Sequence, residues 1–234
     1  MDGIVDFHSH ILPGIDDGSA SVEESIAMLR REAEQGIGHV VATPHFYPRY
    51  ETPEVFLSKR DQAEAVLLEA MKGISGLPQL HVGAEVYFFR GISESDVLPQ
   101  LTIRGNQCIL IEMPPAPWPE SIYQELEAIW RRWGITPVIA HIDRYIAPLR
   151  THKIPQRLQQ LPVLVQANAS FFLENRTRRM ALKLLRADQI QLLGSDCHNL
   201  DSRPPRLGPA IKLIEEYLGQ QVLDRIRSYQ KDVL

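Results

Sequence analysis

Short apolar runs alternate along the chain with longer segments in which apolar residues recur at helical spacing. The short runs are rich in β-branched residues and predict seven strands, at residues 4–8, 39–44, 80–88, 107–113, 136–141, 163–169 and 190–195. The segments between and after them predict helices at 21–35, 53–71, 120–133, 151–160, 177–187, 206–218 and 220–228. This alternation of strand and helix predicts a parallel sheet.

The first predicted helix has the clearest end signals. Ser21-Val-Glu-Glu resembles a capping box in front of an apolar stripe, and Gly36 stands where the helix should end. The proline-rich stretch 113–120 is closely flanked by a strand and a helix, which predicts a loop rather than a linker. Because no shift in composition divides the chain, we expect one α/β domain over residues 1–234, built as a closed or nearly closed parallel barrel.

Composition and charge narrow the possible partners. With 234 residues, 44% of them hydrophobic, the chain is long enough to bury a complete core. Its 25 basic and 29 acidic residues give a net charge of -4, which argues against binding to nucleic acid or to membranes through basic residues. We expect neither a secretory signal nor a membrane span, because no run approaches the roughly 18 apolar residues that a span needs. The expected compartment is the cytoplasm, where Cys108 and Cys197 remain thiols.

Polar residues gather at the ends of the predicted strands. His8 and His10 end the first strand, and His45 and His141 end the second and the fifth. The third, fourth and seventh strands carry or precede further candidates, namely Glu85, Glu112, Asp196 and His198. In a β/α barrel the carboxyl ends of all strands open on one face, so these side chains are expected to converge on a single site.

The residue types predict that this site binds metal. Imidazole and carboxylate ligands suit divalent ions such as zinc, manganese and iron, and the H-x-H and D-x-H spacings direct alternate side chains to the same side. Asp17 is the expected ligand from the loop after the first strand, whereas Asp16 could simply cap or turn that loop. A single histidine at a strand end would be an ordinary structural residue, but nine residues of ligand type argue for a shared site. His39, His81 and His152 lie away from these ends and are predicted to be non-catalytic.

At these positions the sequence resembles the PHP (polymerase and histidinol phosphatase) superfamily, and within it the bacterial manganese-dependent protein-tyrosine phosphatases of capsule and exopolysaccharide systems. The resemblance rests on the stretches DFHSHILPGIDDGS, TPH, GAEVYF, LIEM, TPVIAHIDRY and GSDCHNLDSRPP, which span nearly the whole chain in order. One departure is Asp143, which stands before Arg144 where we expect glutamate. The resemblance implies a single domain with a distorted (β/α)7 barrel, a TIM-like fold.

The resemblance also implies up to three divalent metal ions, manganese foremost, with iron or zinc as alternatives. One ion would be held by His8, His10, Glu85 and Asp196. A second would be held by Glu85, Glu112 and His141, and a third by Asp17, His45 and His198. Ions of this kind generate a hydroxide near neutral pH and polarise a phosphoryl oxygen, so hydrolysis of a phosphoester is the expected chemistry.

Arginines near the predicted ligands are candidates for binding the phosphate. Arg144 follows His141 by three residues and Arg203 follows His198 by five, so both are predicted to act in catalysis and in substrate binding. Arg206 is a further candidate for substrate binding. A surface ion pair is the alternative role for each of these arginines.

The stretch CHNLDSR at 197–203 also fits the C-x5-R spacing of cysteine-dependent phosphatases, in which a thiolate attacks phosphorus. That loop wraps backbone N–H groups round a phosphate and favours glycine, whereas His-Asn-Leu-Asp-Ser and two following prolines stand here. Cys197 lies between Asp196 and His198, so an extended backbone turns its side chain away from theirs. We therefore predict a structural thiol.

These features predict a metal-dependent phosphomonoesterase. The resemblance implies phosphotyrosine in proteins as the substrate, foremost the tyrosine-rich tail of an exopolysaccharide-regulating tyrosine kinase. The loops 45–53 and 113–120 carry aromatic residues and prolines that could receive such a peptide or serve only in packing. Two alternatives stay open: a phosphatase of a small metabolite such as histidinol phosphate, and a non-enzymatic or nucleic-acid-associated PHP module, against which the net acidity argues. The metal, the oligomeric state and the physiological substrate are not determined by the sequence.

Overall fold

A computed structural model describes residues 3–149 and 153–234, in which strands and helices alternate almost throughout. The strands are β1 (Val5–Ser9), β2 (His39–Ala42), β3 (His45–Phe46), β4 (Gln79–Val82), β5 (Glu85–Tyr87), β6 (Cys108–Glu112), β7 (Thr136–Ile139), β8 (Leu164–Asn168) and β9 (Leu192–Gly194). The α-helices are α1 (Val22–Glu34), α2 (Pro53–Met71), α3 (Glu120–Trp133), α4 (Asp143–Leu149), α5 (Lys153–Leu158), α6 (Ala169–Leu173), α7 (Arg178–Arg186), α8 (Leu207–Leu218) and α9 (Gln220–Val233).

The strands follow one another around a barrel. All paired strands are parallel, in the orders β1-β2-β4 and β3-β5-β6-β7-β8-β9. β3 continues β2 after a short break and β5 continues β4 in the same way, so these strands occupy seven positions. A parallel bridge between Ser9 and Cys197, and a hydrogen bond from the Asp196 N–H to the His8 carbonyl (2.8 Å), join the first position to the last. The predicted distorted (β/α)7 barrel is thereby confirmed.

Two breaks divide the second and third positions of the barrel into pairs of short strands. The strand predicted at 39–44 covers β2 and ends before β3, and the strand predicted at 80–88 covers most of β4 and all of β5. Pro44 has no N–H to donate to a sheet, and it separates β2 from β3. Gly83 lies between β4 and β5 so close to the chain beside it that an added Cβ would stand 3.0 Å from the Ile103 side chain. The Glu85 N–H still donates to the Pro44 carbonyl (2.9 Å), so pairing resumes at once. The breaks therefore lie just before His45 and Glu85, two of the predicted ligands.

Alternate strand residues fill two layers of the core. The barrel interior contains the fully buried side chains of Val5, Phe7, Val41, Leu110, Val138 and Leu192. The intervening strand residues point outward and pack against the helices in a larger cluster. Helix α9 closes the interior at the amino ends of the strands, where the Gln230 side-chain amide donates to the Val5 carbonyl (3.1 Å). The carboxyl ends of the strands therefore form the open face of the barrel.

The predicted helices agree with the structure except at a few places. The last helix runs to Val233 instead of ending at 228, and helices α4 and α6 are too short for a helical repeat to be visible in the sequence. The helix predicted at 151–160 corresponds to α5, while Thr151 and His152 lie outside the described residues. Residues 113–119 contain neither helix nor strand, as predicted for a loop. Within the described residues, no helix combines the length and the apolar character that crossing a membrane requires.

Candidate metal centre

All nine residues that the sequence predicts as metal ligands meet at the open face of the barrel. β1 and the loop after it supply three of them, β3, β5 and β6 supply one each, and the segments after β7 and β9 supply the rest. We call this group the histidine cluster, and its members are His8, His10, Asp17, His45, Glu85, Glu112, His141, Asp196 and His198. The convergence follows from the barrel topology, as the sequence predicts.

Glu85 stands at the middle of the histidine cluster. Its Oε2 oxygen lies 2.9 Å from His45 Nδ1, 3.3 Å from His8 Nε2 and 3.4 Å from His10 Nε2. Among the described residues this oxygen nevertheless has no hydrogen-bond partner of good geometry. Its Oε1 oxygen lies 2.7 Å from His141 Nε2. A buried carboxylate oxygen that faces three imidazoles without a hydrogen bond calls for a further positive partner.

The separations between facing ligand atoms fit side chains that share metal ions. Asp17 Oδ1 lies 3.4 Å from His45 Nε2 and 3.5 Å from His198 Nε2. The Nε2 atoms of His8 and His10 face each other at 3.2 Å. Two ligand atoms that each bind one ion at about 2.1 Å, at an angle of about 90–110°, stand about 3.0–3.4 Å apart. The donor types and the spacing therefore both fit divalent cations.

Ligand atoms that lie within 4.8 Å of one another form three overlapping groups in the histidine cluster. The groups are His10 with Asp17, His45 and His198; His8 with His10 and Glu85; and His45 with Glu85 and Glu112. The first contains one complete set that the resemblance implies, and the second contains most of another. His141 belongs to none of these groups. Its Nε2 atom lies close to Glu85 but 3.9 Å from Glu112 Oε1.

Charges within the cluster keep its central carboxylates ionised. Burial alone would raise the pKa of Glu85, but His8 and the other facing imidazoles hold it well below its usual range. Burial also opposes the ionisation of Asp196, whose pKa His8 and His10 hold well below the usual range. Two buried carboxylates that remain anionic make this face of the barrel favourable for cations.

Two members of the cluster hold a backbone conformation that non-glycine residues rarely adopt. The φ angle is 29° at His141 and 53° at Asp196. Such a conformation costs on the order of 1–3 kcal/mol and persists where the surrounding packing determines it. Close packing is visible at Gly194, where an added Cβ would lie 2.6 Å from the His8 Cβ and 2.7 Å from Gln166 Nε2. The strand ends therefore fix these ligands before any ion binds.

Asp16, whose role the sequence leaves open, orients His10. His10 Nδ1 donates to Asp16 Oδ2 (2.7 Å), and the same carboxylate accepts the N–H groups of His45 (3.0 Å) and Gly18 (2.9 Å). Burial opposes ionisation, but His10 and these hydrogen bonds lower the pKa of Asp16 to about 2. Since Asp16 holds the proton on Nδ1, the Nε2 atom of His10 is left to face the cluster.

Two amides at the end of β8 also support the cluster, and reasoning limited to metal-ligand types misses them. Gln166 Oε1 accepts the His141 N–H (2.6 Å) and lies 3.3 Å from His8 Nδ1. Asn168 Nδ2 donates to Asp196 Oδ2 (2.8 Å). The sequence does hold a signal for both residues. They stand two positions apart, and so on the same side, at the end of the strand predicted at 163–169, the one predicted strand that supplies no metal ligand.

Two tyrosine hydroxyls lie beside the Nδ1 atoms of cluster histidines. The Tyr47 hydroxyl donates to Glu112 Oε2 (3.1 Å) and lies 3.2 Å from His45 Nδ1. The Tyr145 hydroxyl lies 3.2 Å from His141 Nδ1. Contacts of this kind fix the orientation of an imidazole and select the nitrogen that remains available to an ion.

Two of the three predicted arginines reach the rim of the cluster. Arg144 Nη2 donates to Asp196 Oδ2 (2.6 Å), and Arg203 Nη2 donates to Asp196 Oδ1 (2.8 Å). Their side chains are 40% and 37% exposed, so donors remain that face solvent above the cluster. Arg206 lies at the start of α8 and lines a surface cavity with Arg31, so its predicted part in substrate binding stays a prediction.

Residues 4–233 match the family of capsular polysaccharide synthesis proteins described as CpsB/CapC. The chain belongs to the CpsB/CapC family. The tyrosine-protein phosphatase CpsB of Streptococcus pneumoniae is 32% identical over 231 residues, which cover 92% of this chain and 91% of that protein. The tyrosine-protein phosphatase YwqE of Bacillus subtilis (strain 168) is 28% identical over 235 residues, which cover 94% of this chain and 87% of that protein.

The fold of this CpsB/CapC chain also matches a solved structure. That structure comes from work on YwqE of Bacillus subtilis and CpsB of Streptococcus pneumoniae, described as metal-dependent tyrosine phosphatases. The TM-score is 0.82 and the identity 23%, and the match covers 99% of this chain and 96% of the other. The family and the class of enzyme that the sequence predicts are therefore confirmed.

The side chain of Cys197 takes no part in the histidine cluster of this CpsB/CapC chain. Its side chain is fully buried beside Asp6 and Glu32. Burial and these two carboxyls raise the pKa of the Cys197 thiol well above its usual range, which argues against a thiolate nucleophile. The loop after it does not offer a phosphate cradle, because Asn199 Oδ1 accepts the backbone N–H groups of residues 201, 202 and 203 at 3.0, 2.8 and 3.0 Å. The structural role predicted for this thiol agrees with its position.

A second group of ligand types lies beneath the cluster, between β1, α1 and the end of β9. We call Asp6, Glu32 and Cys197 the Asp6 pocket, in which the ligand atoms lie within 4.8 Å of one another. Asp6 Oδ1 accepts the N–H groups of Ser195 (2.8 Å) and His8 (3.2 Å). Among the described residues, Asp6 Oδ2 and both Glu32 oxygens lack hydrogen-bond partners. Burial raises the pKa of Asp6, and burial together with the Asp6 charge raises that of Glu32 well above its usual range.

Proposed function

We propose that this chain hydrolyses phosphotyrosine in proteins at the histidine cluster, with up to three divalent ions held by the nine cluster residues. The observation that carries the proposal is the position of Glu85. Its buried Oε2 oxygen faces three imidazole nitrogens at 2.9–3.4 Å and accepts no hydrogen bond from the described residues. Relatives named tyrosine-protein phosphatases support the choice of substrate.

The ions would be divided among three sets of ligands. We propose one ion at His8, His10, Glu85 and Asp196, a second at Glu85, Glu112 and His141, and a third at Asp17, His45 and His198. Manganese is the ion that we expect first, with iron or zinc as alternatives, because mixed imidazole and carboxylate sets accept all three. When bound, such ions supply Lewis acidity that activates water near neutral pH and offsets charge on phosphoryl oxygens.

The chain's own contribution begins with the orientation of its imidazoles. Asp16 and Tyr145 contact the Nδ1 atoms of His10 and His141, and Gln166 Oε1 lies 3.3 Å from the Nδ1 atom of His8. Each of the three Nε2 atoms is thereby turned towards the middle of the cluster. Ligands held in this way need little rearrangement when an ion binds, which raises both affinity and selectivity.

Arg144 and Arg203 would bind the phosphoryl group. Both guanidinium groups stand on the rim, and each uses an Nη2 atom on Asp196. A guanidinium has five N–H donors in a fixed fork, so each side chain keeps donors beyond its hydrogen bond to Asp196 for contact with phosphate oxygens. Since negative charge on those oxygens is redistributed as the ester bond breaks, preorganised donors stabilise the transition state more than the bound substrate.

The physiological substrate we propose is a phosphorylated bacterial tyrosine kinase, foremost the tyrosine-rich tail of one that regulates exopolysaccharide synthesis. The description of the family as capsular polysaccharide synthesis proteins supports this choice. We place the reaction in the cytoplasm, with residues 1–234 acting as one catalytic domain. The free thiols of Cys108 and Cys197 agree with a reducing compartment.

A metal-reconstituted activity panel tests the proposal. The chain is stripped of metal with a chelator and reloaded with manganese, iron or zinc, and is then assayed on three substrates. These are a phosphotyrosine peptide, a phosphoserine peptide of otherwise identical sequence, and histidinol phosphate. We expect turnover only after reloading, with the highest kcat/KM on phosphotyrosine. A higher kcat/KM on histidinol phosphate would overturn the substrate, and full turnover by metal-free protein would overturn the role of the cluster.

A further inference from the structure

An aromatic groove borders the histidine cluster. It has a volume of about 390 Å³, and its aromatic lining consists of Tyr47, Tyr50, Tyr87, Phe88 and Phe89. The loop after β3 forms one wall, and the end of β5 with the residues that follow forms the other. The groove and the cluster share a boundary, because the Tyr47 hydroxyl contacts His45 and Glu112 while the same side chain lines the groove.

The rings of three tyrosines form a row, and its middle ring, Tyr47, is the one whose hydroxyl contacts the cluster. The ring centroids of Tyr87 and Tyr47 are 5.6 Å apart, and those of Tyr47 and Tyr50 are 6.1 Å apart, with the latter pair edge to face. Tyr50 ends the row and is 80% exposed, more than any other exposed large hydrophobic residue in the described chain. An aromatic surface that is open to water beside a reaction centre is typical of a ligand-binding surface.

Tyr47 shows that one tyrosine side chain spans the distance from the cluster to the groove. A phosphotyrosine that places its phosphate at the cluster would therefore bring its own backbone to about the level of the groove. The Cα atom of the next residue lies only about 3.8 Å farther along the chain. The residues beside the phosphotyrosine are thus the part of a polypeptide substrate that can reach the aromatic rings.

We propose that the aromatic groove binds a residue next to the phosphotyrosine and prefers an aromatic side chain at that position. The inference rests on the proposed function and adds a sequence preference to it. Stacked and edge-to-face ring pairs contribute beyond the area they bury, and the Tyr47, Tyr50 and Tyr87 rings offer both faces and edges. Arg49 also lines the groove, so a preference for acidic neighbours is the competing outcome that an experiment must separate.

The test compares four substrates of the metal-loaded chain. Three are phosphotyrosine peptides that differ only beside the phosphotyrosine, where they carry alanine, phenylalanine or glutamate. The fourth is p-nitrophenyl phosphate, which has no neighbouring residue. We expect kcat/KM to be about three- to tenfold higher for the phenylalanine peptide than for the alanine peptide. The difference should lie mainly in KM, because the groove would contact substrate and transition state alike.

Variants assign that preference to the groove. Tyr50→Ala should reduce the phenylalanine preference to about one and leave p-nitrophenyl phosphate turnover within about twofold, while Tyr50→Phe should keep the preference, since the ring carries it. Tyr217→Ala is the matched control, because Tyr217 is 53% exposed and lines a different cavity. Equal kcat/KM for all three peptides, a preference for glutamate, or equal effects of Tyr50→Ala and Tyr217→Ala would overturn the inference. Failure to hydrolyse p-nitrophenyl phosphate would instead count against the proposed function.

Discussion

The histidine cluster and the Asp6 pocket both bring possible metal ligands together at β1, yet the pKa values of their most buried carboxyls shift in opposite directions. In the cluster, imidazoles and two guanidinium groups surround the carboxylates, and the pKa of Glu85 is held well below its usual range despite burial. In the pocket, two carboxyls and a thiol face one another, and burial with the Asp6 charge raises the pKa of Glu32 well above its usual range. The centre of the cluster, at Glu85 and Asp196, therefore stabilises anions, whereas the pocket stabilises neutral groups.

This difference shows that the spacing of ligand atoms does not by itself define a metal site. Both groups have ligand atoms within 4.8 Å of one another. The cluster also opens to solvent, since Asp17 is 66% exposed, while all three residues of the pocket are fully buried. We expect a proton on Glu32 that donates to Asp6 Oδ2, and so a brace between β1 and α1 instead of an ion.

The largest effect is expected at the centre of the cluster. Glu85→Ala removes a carboxylate that faces four imidazoles, and it should lower bound metal and kcat/KM together. We expect kcat/KM to fall by at least about a thousandfold, which corresponds to about 4 kcal/mol of transition-state stabilisation. Metal analysis of the purified variant and kinetics on a phosphotyrosine peptide measure the two effects.

Folding of the Glu85 variant is the necessary control. The apolar barrel interior does not include Glu85, so circular dichroism should match that of the parent. Glu85→Gln keeps the shape without the charge and should lose metal as well. An unchanged metal content with full activity would remove Glu85 from the centre and with it the contrast between the two groups.

The second effect concerns phosphate binding at the rim and separates it from metal binding. Arg144→Lys keeps a positive charge but loses the planar fork, so it should retain metal and lose about tenfold or more in kcat/KM, or about 1.4 kcal/mol. Arg144→Ala should lose more. A fall in kcat would indicate a contact that strengthens in the transition state, whereas a rise in KM alone would indicate uniform binding.

Arg206→Ala is the matched control for Arg144, because Arg206 lies at the start of α8 and lines a separate cavity. Its kinetics should stay within about twofold of those of the parent. If Arg144→Ala were equally mild, another donor would hold the phosphate, with Arg203 as the first candidate.

Much of the fold could be predicted because its signals are local. Runs of β-branched residues, the capping signal at Ser21 and the helical repeats fix where most elements lie. The two breaks in the strands differ in this respect. Proline marks the break at Pro44 in the sequence, but the break at Gly83 depends on close contact with Ile103, a neighbour in space rather than in sequence. Helices α4 and α6 are too short to show periodicity.

The predictability of the two groups of ligands differs for a related reason. The nine residues of the histidine cluster stand at strand ends, which the barrel topology gathers on one face, so position and residue type suffice. The Asp6 pocket joins a strand to a helix side chain, and no rule of topology pairs them. One signal was available: Glu32 follows Leu29 by three residues and therefore lies on the apolar face of α1, where an acid needs a partner.

The third prediction tests whether the Asp6 pocket favours the neutral or the ionised form of Glu32. Because folding raises the pKa of Glu32 above its ordinary value of 4.5, the folded chain binds more protons than the unfolded chain between the two pKa values. The contribution of Glu32 to the stability of the parent chain therefore falls as the pH rises through that window. At a pH above the folded-state pKa, each unit by which folding raises the pKa of Glu32 lowers the stability of the folded chain by about 1.4 kcal/mol.

Glutamine cannot ionise, and its amide can donate to Asp6 Oδ2 as a protonated glutamate would. The difference in Tm between Glu32→Gln and the parent should therefore shift in favour of the variant as the pH rises above the ordinary glutamate pKa of 4.5. Glu34→Gln, an exposed change on the same helix, should show no such trend. A Glu32→Gln variant that instead loses stability as the pH rises would show that the pocket stabilises the carboxylate, as an ion would.

The smallest effect is expected at Cys197, the residue whose backbone and side chain serve different groups. Its carbonyl accepts the His10 N–H (2.9 Å), while its thiol lies in the Asp6 pocket. Cys197→Ser keeps the backbone contact, so metal content should be unchanged and kcat/KM should stay within about twofold, with at most about 1 kcal/mol lost in stability. Cys108→Ser, which changes a buried thiol at the opposite end of the barrel, is the control. A folded, metal-loaded Cys197→Ser variant without activity would make the thiol the nucleophile and the cluster its support.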